Sequence, residues 1–489
     1  MIYLLFLCLF LVSCQPVELP KHELRIGLAQ DVMSVDPRYA TDASSHKVQA
    51  LLHCSLVRLD ERFLAQPGLA TSWQQEDAYT WHFELDENAR FHDGSQVSAQ
   101  DVAATLKAIL DKKKASPLRA GFASIEKIEV HSKHQLTLHL NKEDPSLLTR
   151  LSIGVLPVSW AEKEHQSRQT MGCGDFKLAS WHYDKGLLLV RRDGRLRLRF
   201  LNVKDPVTRI LKLVQGEIDF TQNDLPVHLL SFLKKYPDIK VQHRASTNFS
   251  YIGMNLEDPI LKQREVRQAL ALAVDRKKLK KVLFGDYPSL ATTILSPQHW
   301  TSMPLAQIPF DFKKAEFLLD EAGFKRDAQG IRFHLSYRTS TNPVRLRMAS
   351  AVAAMWQRIG VDVSVESMEW GGFYARIKRG DFQVFSLAWV GINDPDIYKW
   401  VLHSDMHPPK GANRGRYSNP EVDALLDGLT QANMLENYRQ IQKIMHRDVV
   451  YIPLWYDAVI SLSNSRVQGF EPTWDASFEP FKTVQVKDF

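Results

Sequence analysis

The chain is predicted to be an α/β protein of more than one globular unit, and three observations carry that expectation. Its 489 residues exceed what one ordinary core accommodates, so two or three units are expected. Trp81, Phe83 and Leu85 alternate with His82 and Glu84, the period-two pattern of a half-buried strand. Residues 331–337 and 361–367 read as strands flanking a helix over 342–359, a βαβ-like unit.

Taken in order, residues 24–28 (LRIGL) predict a first strand and 31–37 (DVMSVDP) the loop after it, with helix signals over 44–52. Strand and turn signals run to Trp81 and resume at 125–140, where IEKIEVHSKHQLTLHL alternates well. Between them His92-Asp93-Gly94 marks a hairpin-like turn. The Ser98 hydroxyl is then expected to cap an amphipathic helix over 101–111, with Asp101 in the first turn where the helix dipole favours it. Further on, 251–255 (YIGMN) reads as a strand, 265–276 (EVRQALALAVDR) as a helix, and Gly323 as the stop of a helix over 313–322.

Composition excludes some classes. With 44% hydrophobic and 24% charged residues the chain is neither disordered nor a membrane bundle, and its net charge of +6 is modest. The basic run 191–199 (RRDGRLRLR) has two readings: an anionic-partner patch, or a strand with one solvated basic face, since Leu196, Leu198 and Phe200 alternate with Arg195, Arg197 and Arg199. No aromatic stacking platform lies nearby, so nucleic acid is not an expected partner.

The first residues carry targeting information. Residues 2–12 are unbroken and apolar, too short for a bilayer and placed where a secretory h-region belongs. They run into Ser13-Cys14, and 11–14 (LVSC) resembles the lipobox of bacterial lipoproteins, although the n-region carries only the terminal amine. Residues 1–13 are thus expected to be a signal peptide, Cys14 the lipidated mature N-terminus, and 14–23 a tether. The body is expected at the periplasmic or cell-surface face of a bacterial membrane. Processing removes Cys8, leaving Cys54 and Cys173 either as one disulfide or as two separate buried thiols.

Several motifs resemble the family 5 extracellular solute-binding proteins, receptors of ABC importers for peptides, nickel chelates and related solutes. They are the strand, F-H-D-G turn and S-A-x-D-V helix start over 80–102, and MGCGDFKLASW (171–181), with Cys173 and Asp175 where Thr and Pro are usual. Gly216-Glu217-Ile218-Asp219, the helix 265–276, NRGRYSNPEVDALL (413–426) and the segment 441–455 complete the set, in family order from about residue 24 onward. The resemblance implies a two-lobed periplasmic-binding-protein-like fold of the class II or cluster C type, with mixed sheets flanked by helices and an extra subdomain in the first lobe. It implies lobe I from 24–45, 170–248 and 461–489, the subdomain from 46–169, and lobe II from 249–460. Hinge segments are expected near Phe249 and Ile460.

No G-x-S-x-G elbow, H-E-x-x-H or P-loop is present, so no enzyme, catalytic residue or cofactor is expected. His403 and His407 have i,i+4 spacing with Asp405 between them, but they lead into Pro408-Pro409 and read more simply as a surface loop. His92, His131 and His134 read as turn residues. Trp370, Trp389, Trp400 and Trp455-Tyr456 sit beside glycines, prolines and loop formers, which suits a ligand cleft.

In peptide-binding members the ligand pairs backbone to backbone with both lobes. The matching positions here are Met33, Ser34 and Val35 in the first lobe, and Trp389, Gly391 and Asn393 in the second, with Trp370 and Tyr456 as walls. Many such receptors hold the ligand ammonium with an aspartate three residues after the tryptophan. That position is Ile392, so either Asp394 substitutes, or the ligand has no free amino end there, or binding is weak; Asp394 and Asp396 also read as turn residues around Pro395. The implied function is a monomeric lipoprotein that captures oligopeptides for an ABC permease. Its alternatives are a non-peptide solute (metal chelate, haem or glycan-derived peptide) or a surface interaction role.

Overall fold

The computed structural model describes residues 22–487; the expected signal peptide, Cys14 and most of the tether lie outside them. Its spine is a mixed sheet that runs through both halves of the molecule. In the first half Glu23–Leu28 lies parallel to both Arg197–Asn202 and Phe220–Gln222, and the antiparallel strands Gly186–Arg191 and Phe176–His182 extend the edge. In the second half Phe333–Ser340, Val361–Met368 and Val384–Trp389 are mutually parallel around Phe333–Ser340. The helix Pro343–Arg358 connects the first two of these strands, the expected βαβ unit.

Two long strands, Lys240–Met254 and Tyr451–Ser463, join the halves by pairing antiparallel from Lys240↔Ser463 to Gly253↔Tyr451. The ladder slips twice, and the larger slip lies where the lobes part. Ala245 faces Ala458 and Phe249 faces Tyr456, so residues 246–248 bulge against Asp457 alone. A bulge bends and twists a strand pair, so the break in register marks where the crossing strands change direction. It lies within three residues of both Phe249 and Ile460.

Residues 46–169 contain a separate four-stranded antiparallel sheet, Ala70–Asp77, Thr80–Leu85, Gln135–Leu140 and Ile125–Val130, covered by the helix Ala99–Leu110. Trp81, Phe83, Leu136, Leu138, Val102 and Leu106 form its core. Cys54 and Cys173 are disulfide-bonded, with Cα atoms 5.2 Å apart, which resolves the open choice in favour of one bridge. The bridge ties this insertion to the first lobe close to where the chain returns. The same return explains the G-x-G spacing around Cys173: a Cβ at Gly172 would lie 1.9 Å from the Leu52 carbonyl oxygen and one at Gly174 2.3 Å from that of Leu51.

Some expectations need correction. The predicted helix 265–276 is two helices, Arg264–Leu272 and Arg276–Phe284, because the Asp275 carboxylate caps the second by accepting from the Lys278 N–H at 2.9 Å. Ser98 is the N-cap of the helix Ala99–Leu110 as expected and forms a capping box with Asp101, whose carboxylate accepts from the Ser98 N–H at 2.8 Å and from its hydroxyl at 2.7 Å. The basic run is a hairpin end turning at Asp193-Gly194, and Arg197 and Arg199 both pair with buried Glu23. Leu196, Leu198 and Phe200 face inward as their alternation predicts.

Candidate functional site: the cleft between the lobes

The first-lobe wall begins with the loop after Glu23–Leu28. The helix Ala43–Leu52 presents the Ser45 hydroxyl to this loop, and the N–H groups of Met33 and Ser34 both donate to it, at 2.8 and 2.9 Å. Val35 N–H donates to the Ser167 carbonyl at 2.9 Å. All three backbone donors are therefore consumed inside the lobe, which removes them from strand-like pairing with a ligand. Ser34 and Val35 are buried, at 4% and 0% exposure, whereas Met33 is 66% exposed. Of the three predicted positions only the Met33 side chain faces outward; the other two build the scaffold.

The second-lobe wall is a stack of rings around one cation. Trp389 ends the strand Val384–Trp389, stacks on Tyr251 with 6.2 Å between ring centres, and carries the Arg414 guanidinium 4.2 Å over its face. Arg414 donates to the hydroxyls of Tyr251 (3.2 Å) and Tyr374 (3.1 Å), and Trp370, 54% exposed, stacks on Tyr374 at 5.5 Å. Charge over a tryptophan face is favourable, the more so when desolvated. Arg414 is only 8% exposed and makes no ion pair among the described residues. Burial pushes the Tyr251 phenol up to about 12, so it stays a neutral hydroxyl at physiological pH. Sequence reasoning missed Tyr374 and Arg414. The first sits four residues after Trp370 on the helix Trp370–Arg379, a spacing that stacks side chains on one face; the second lies inside the motif 413–426.

Beyond Trp389 the chain forms the loop 390–396. Gly391 has φ +66°, and its N–H donates at 2.9 Å to the side chain of Asn248, tying this loop to the crossing bulge. The Asn393 carbonyl faces the His299 ring at 3.3 Å. Burial lowers His299 to about 4, keeping it neutral, and its ring stacks on Phe63 of the first lobe's insertion at 5.0 Å.

Asp394 is the point where the lobes meet through charge. Its carboxylate accepts from the Ser146 hydroxyl at 2.7 Å and from Arg150 at 3.2 Å, both in the insertion, and from the Asp396 N–H at 2.9 Å. Arg150 also pairs with Asp144 and lies 3.7 Å from Asp396, which accepts from the Tyr438 hydroxyl at 3.0 Å. Burial, then repulsion from Asp396, pushes Asp394 up to about 6 against the pull of these donors. Ser146 and Arg150 carried no signal readable from sequence alone, because their partner is more than 240 residues away.

Tyr456 is not a cleft wall. It is 1% exposed in the middle of the strand Tyr451–Ser463, with its hydroxyl 2.8 Å from the carbonyls of Thr293 and Leu295, and Trp455 beside it is fully buried. The His403–His407 segment is also not one helical face. The helix Ile397–Leu402 ends before it, a 3-10 turn covers Ser404–Met406, and His403 pairs with Asp427 at 3.2 Å. His131 bonds Thr137 at 2.8 Å and His92 lies 3.1 Å from the Gly174 carbonyl, as turn residues do.

Two lobes joined by a pair of crossing strands and meeting again at the Asp394 junction have the architecture of a two-lobed solute receptor. The family model for bacterial extracellular solute-binding proteins, family 5, matches residues 65–405, and the chain belongs to that family. It is 27% identical over 508 residues to the periplasmic oligopeptide-binding protein OppA of Salmonella typhimurium, covering 94% of this chain and 90% of that one. It is 25% identical over 471 residues to the oligopeptide-binding protein AppA of Bacillus subtilis, covering 89% and 86%. Among solved structures, the ABC transporter substrate-binding protein CtaP of Listeria monocytogenes superposes with a TM-score of 0.85 at 23% identity, over 96% of this chain and all of that one.

Proposed function

We propose that this protein captures oligopeptides between its lobes and delivers them to the permease of an ABC importer, held at the membrane by acyl groups on Cys14. Lobe I comprises 24–45, 170–248 and 461–489 with the insertion 46–169, and lobe II comprises 249–460. The observation that carries the reading is the junction at Asp394, where the charged end of the cleft is assembled from both lobes, as capture by closure requires. Three carboxylates there, Asp144, Asp394 and Asp396, face the single cation Arg150. The acidic surplus suits the terminal ammonium of a peptide, which gains from a carboxylate partner when desolvated. Asp394 therefore takes the ammonium role left vacant at Ile392. The Trp370–Tyr374–Arg414–Trp389 stack supplies sequence-tolerant apolar area alongside. The names of the relatives OppA and AppA support the same substrate class.

Native mass spectrometry of the chain from about Glu18 onward, purified gently, tests this. Adduct masses that fragment as peptides support it. A protein that carries no peptide and gains no thermal stability from a peptide mixture contradicts it, since a bound ligand stabilises as RT ln(1 + [L]/Kd).

A further inference from the structure

Arg150 reaches across from the insertion and stands where that ammonium is expected. It contacts Asp394 through one guanidinium nitrogen at 3.2 Å, and the same nitrogen lies 3.7 Å from Asp396. Single-nitrogen contacts lack the paired geometry of the strongest arginine–carboxylate bonds. Its Nε is buried with no hydrogen-bond partner, and its second terminal nitrogen is committed to Asp144. The guanidinium is thus anchored by Asp144, within its own insertion, and only lightly engaged with the opposite lobe. Among the described residues no other cation pairs with Asp394 or Asp396. Ser146, which also holds Asp394, is neutral and keeps its bond whichever cation is present.

We propose that Arg150 is a specificity-determining residue, a built-in occupant of the cation subsite at Asp394 that competes with a ligand's terminal ammonium. The inference rests on the peptide reading above. An incoming ammonium shares or displaces the guanidinium, which retains Asp144 as its partner. A ligand whose amino end is acylated meets no such competition, because it brings no charge to Asp394. Arg150 therefore narrows the gap between free and blocked amino ends, and removing its charge widens the gap in favour of the free form. The separation of the charges makes this a local, short-range effect rather than one of overall charge.

The test uses one synthetic pool of tri- to pentapeptides in two forms, with free amino ends and N-acetylated. Binding is measured by titration calorimetry on the wild type, Arg150→Gln, and Arg150→Gln combined with Asp394→Asn. The readout is the ratio of the two affinities, which cancels any change in the folded fraction; Arg150→Met supplies the neutral side chain if the glutamine variant does not fold. The expected result is a free-over-acetylated ratio at least about tenfold higher in Arg150→Gln than in wild type, with the gain lost when Asp394 is also neutralised. A ratio unchanged by Arg150→Gln, or a gain that persists in the double variant, overturns the role of Arg150 and leaves peptide capture standing. Binding of neither pool by any of the proteins overturns peptide capture, and this inference with it.

Discussion

The two walls of the cleft are built by opposite means. On the first-lobe side the loop 31–37 is held by its own backbone: Ser45 accepts two N–H groups and Ser167 a third, so the wall is complete before any ligand arrives. On the second-lobe side the wall is made of side chains, with a guanidinium on a tryptophan face and a carboxylate whose ionisation is suppressed by burial. The contrast sets a loop tied down through its backbone on one lobe against a side-chain stack on the other, and the charged junction at Asp394 draws Ser146 and Arg150 from the first lobe's insertion. Asn248, in the crossing bulge, bonds the loop 390–396 at Gly391 and so ties that loop to the strands that join the lobes.

Breaking the rigid side has the largest expected effect. The Cys54–Cys173 bridge closes a sequence separation of 119 residues and clamps the insertion to the first lobe. Replacing both cysteines by serine is expected to lower stability by about 4 kcal/mol, by loop-closure entropy. Denaturant unfolding measures it, and an unchanged midpoint would show that the insertion is held by packing alone. On the recognition side, Trp389→Ala removes the face under Arg414 and is expected to weaken peptide binding by about 2 kcal/mol, roughly thirtyfold, while the protein stays folded. Calorimetry alongside circular dichroism separates the two; normal affinity would take Trp389 out of the site.

Ser45→Ala sharpens the contrast from the other wall. It strips the acceptor from two loop N–H groups and is expected to lower stability by about 1–2 kcal/mol. Hydrogen exchange at Met33 and Ser34 should rise with it, with a much smaller change in ligand selectivity than Trp389→Ala produces. The smallest effect is that of pH. Asp394 sits near 6 rather than in the ordinary carboxylate range, so a bound ammonium, which favours the ionised form, pulls its pKa down. Affinity for a free-amino peptide is then highest between about pH 6 and about pH 8, where Asp394 is ionised and the α-amino group still protonated, and falls as pH drops through about 6. The acetylated peptide should show a flat profile, and Asp394→Asn should flatten the first.

Much of the fold was legible because its signals are local. The alternation at 80–85 and the βαβ periodicity over 331–367 each answer to contacts within one or two elements. The site was only half legible. Trp370 and Trp389 announced themselves by loop-forming neighbours, but Tyr456 misled: it lies in a strand buried on both faces, where alternation vanishes. Nearby Pro453, which reads as a loop former, instead stands opposite Tyr251 beside the register slip at Leu454, where a strand tolerates proline. Ser34 and Val35 lie in the expected loop after the first strand but are buried, and that inward turn depends on Ser45 and Ser167, which no local pattern connects to it. Arg150 and Asp394 meet only because two lobes close on each other, and a contact of that range leaves no trace in periodicity or spacing.

The central claim is that a peptide is enclosed between the two walls, with its amino end at Asp394. Photo-crosslinking with a peptide carrying a benzophenone side chain next to its free amino end, followed by mass-spectrometric mapping, addresses this most directly. Crosslinks on both lobes, on the loop 390–396 and on the insertion around Ser146 and Arg150, are the predicted result. Crosslinks confined to one lobe, or to the outer surface of the insertion, would contradict it.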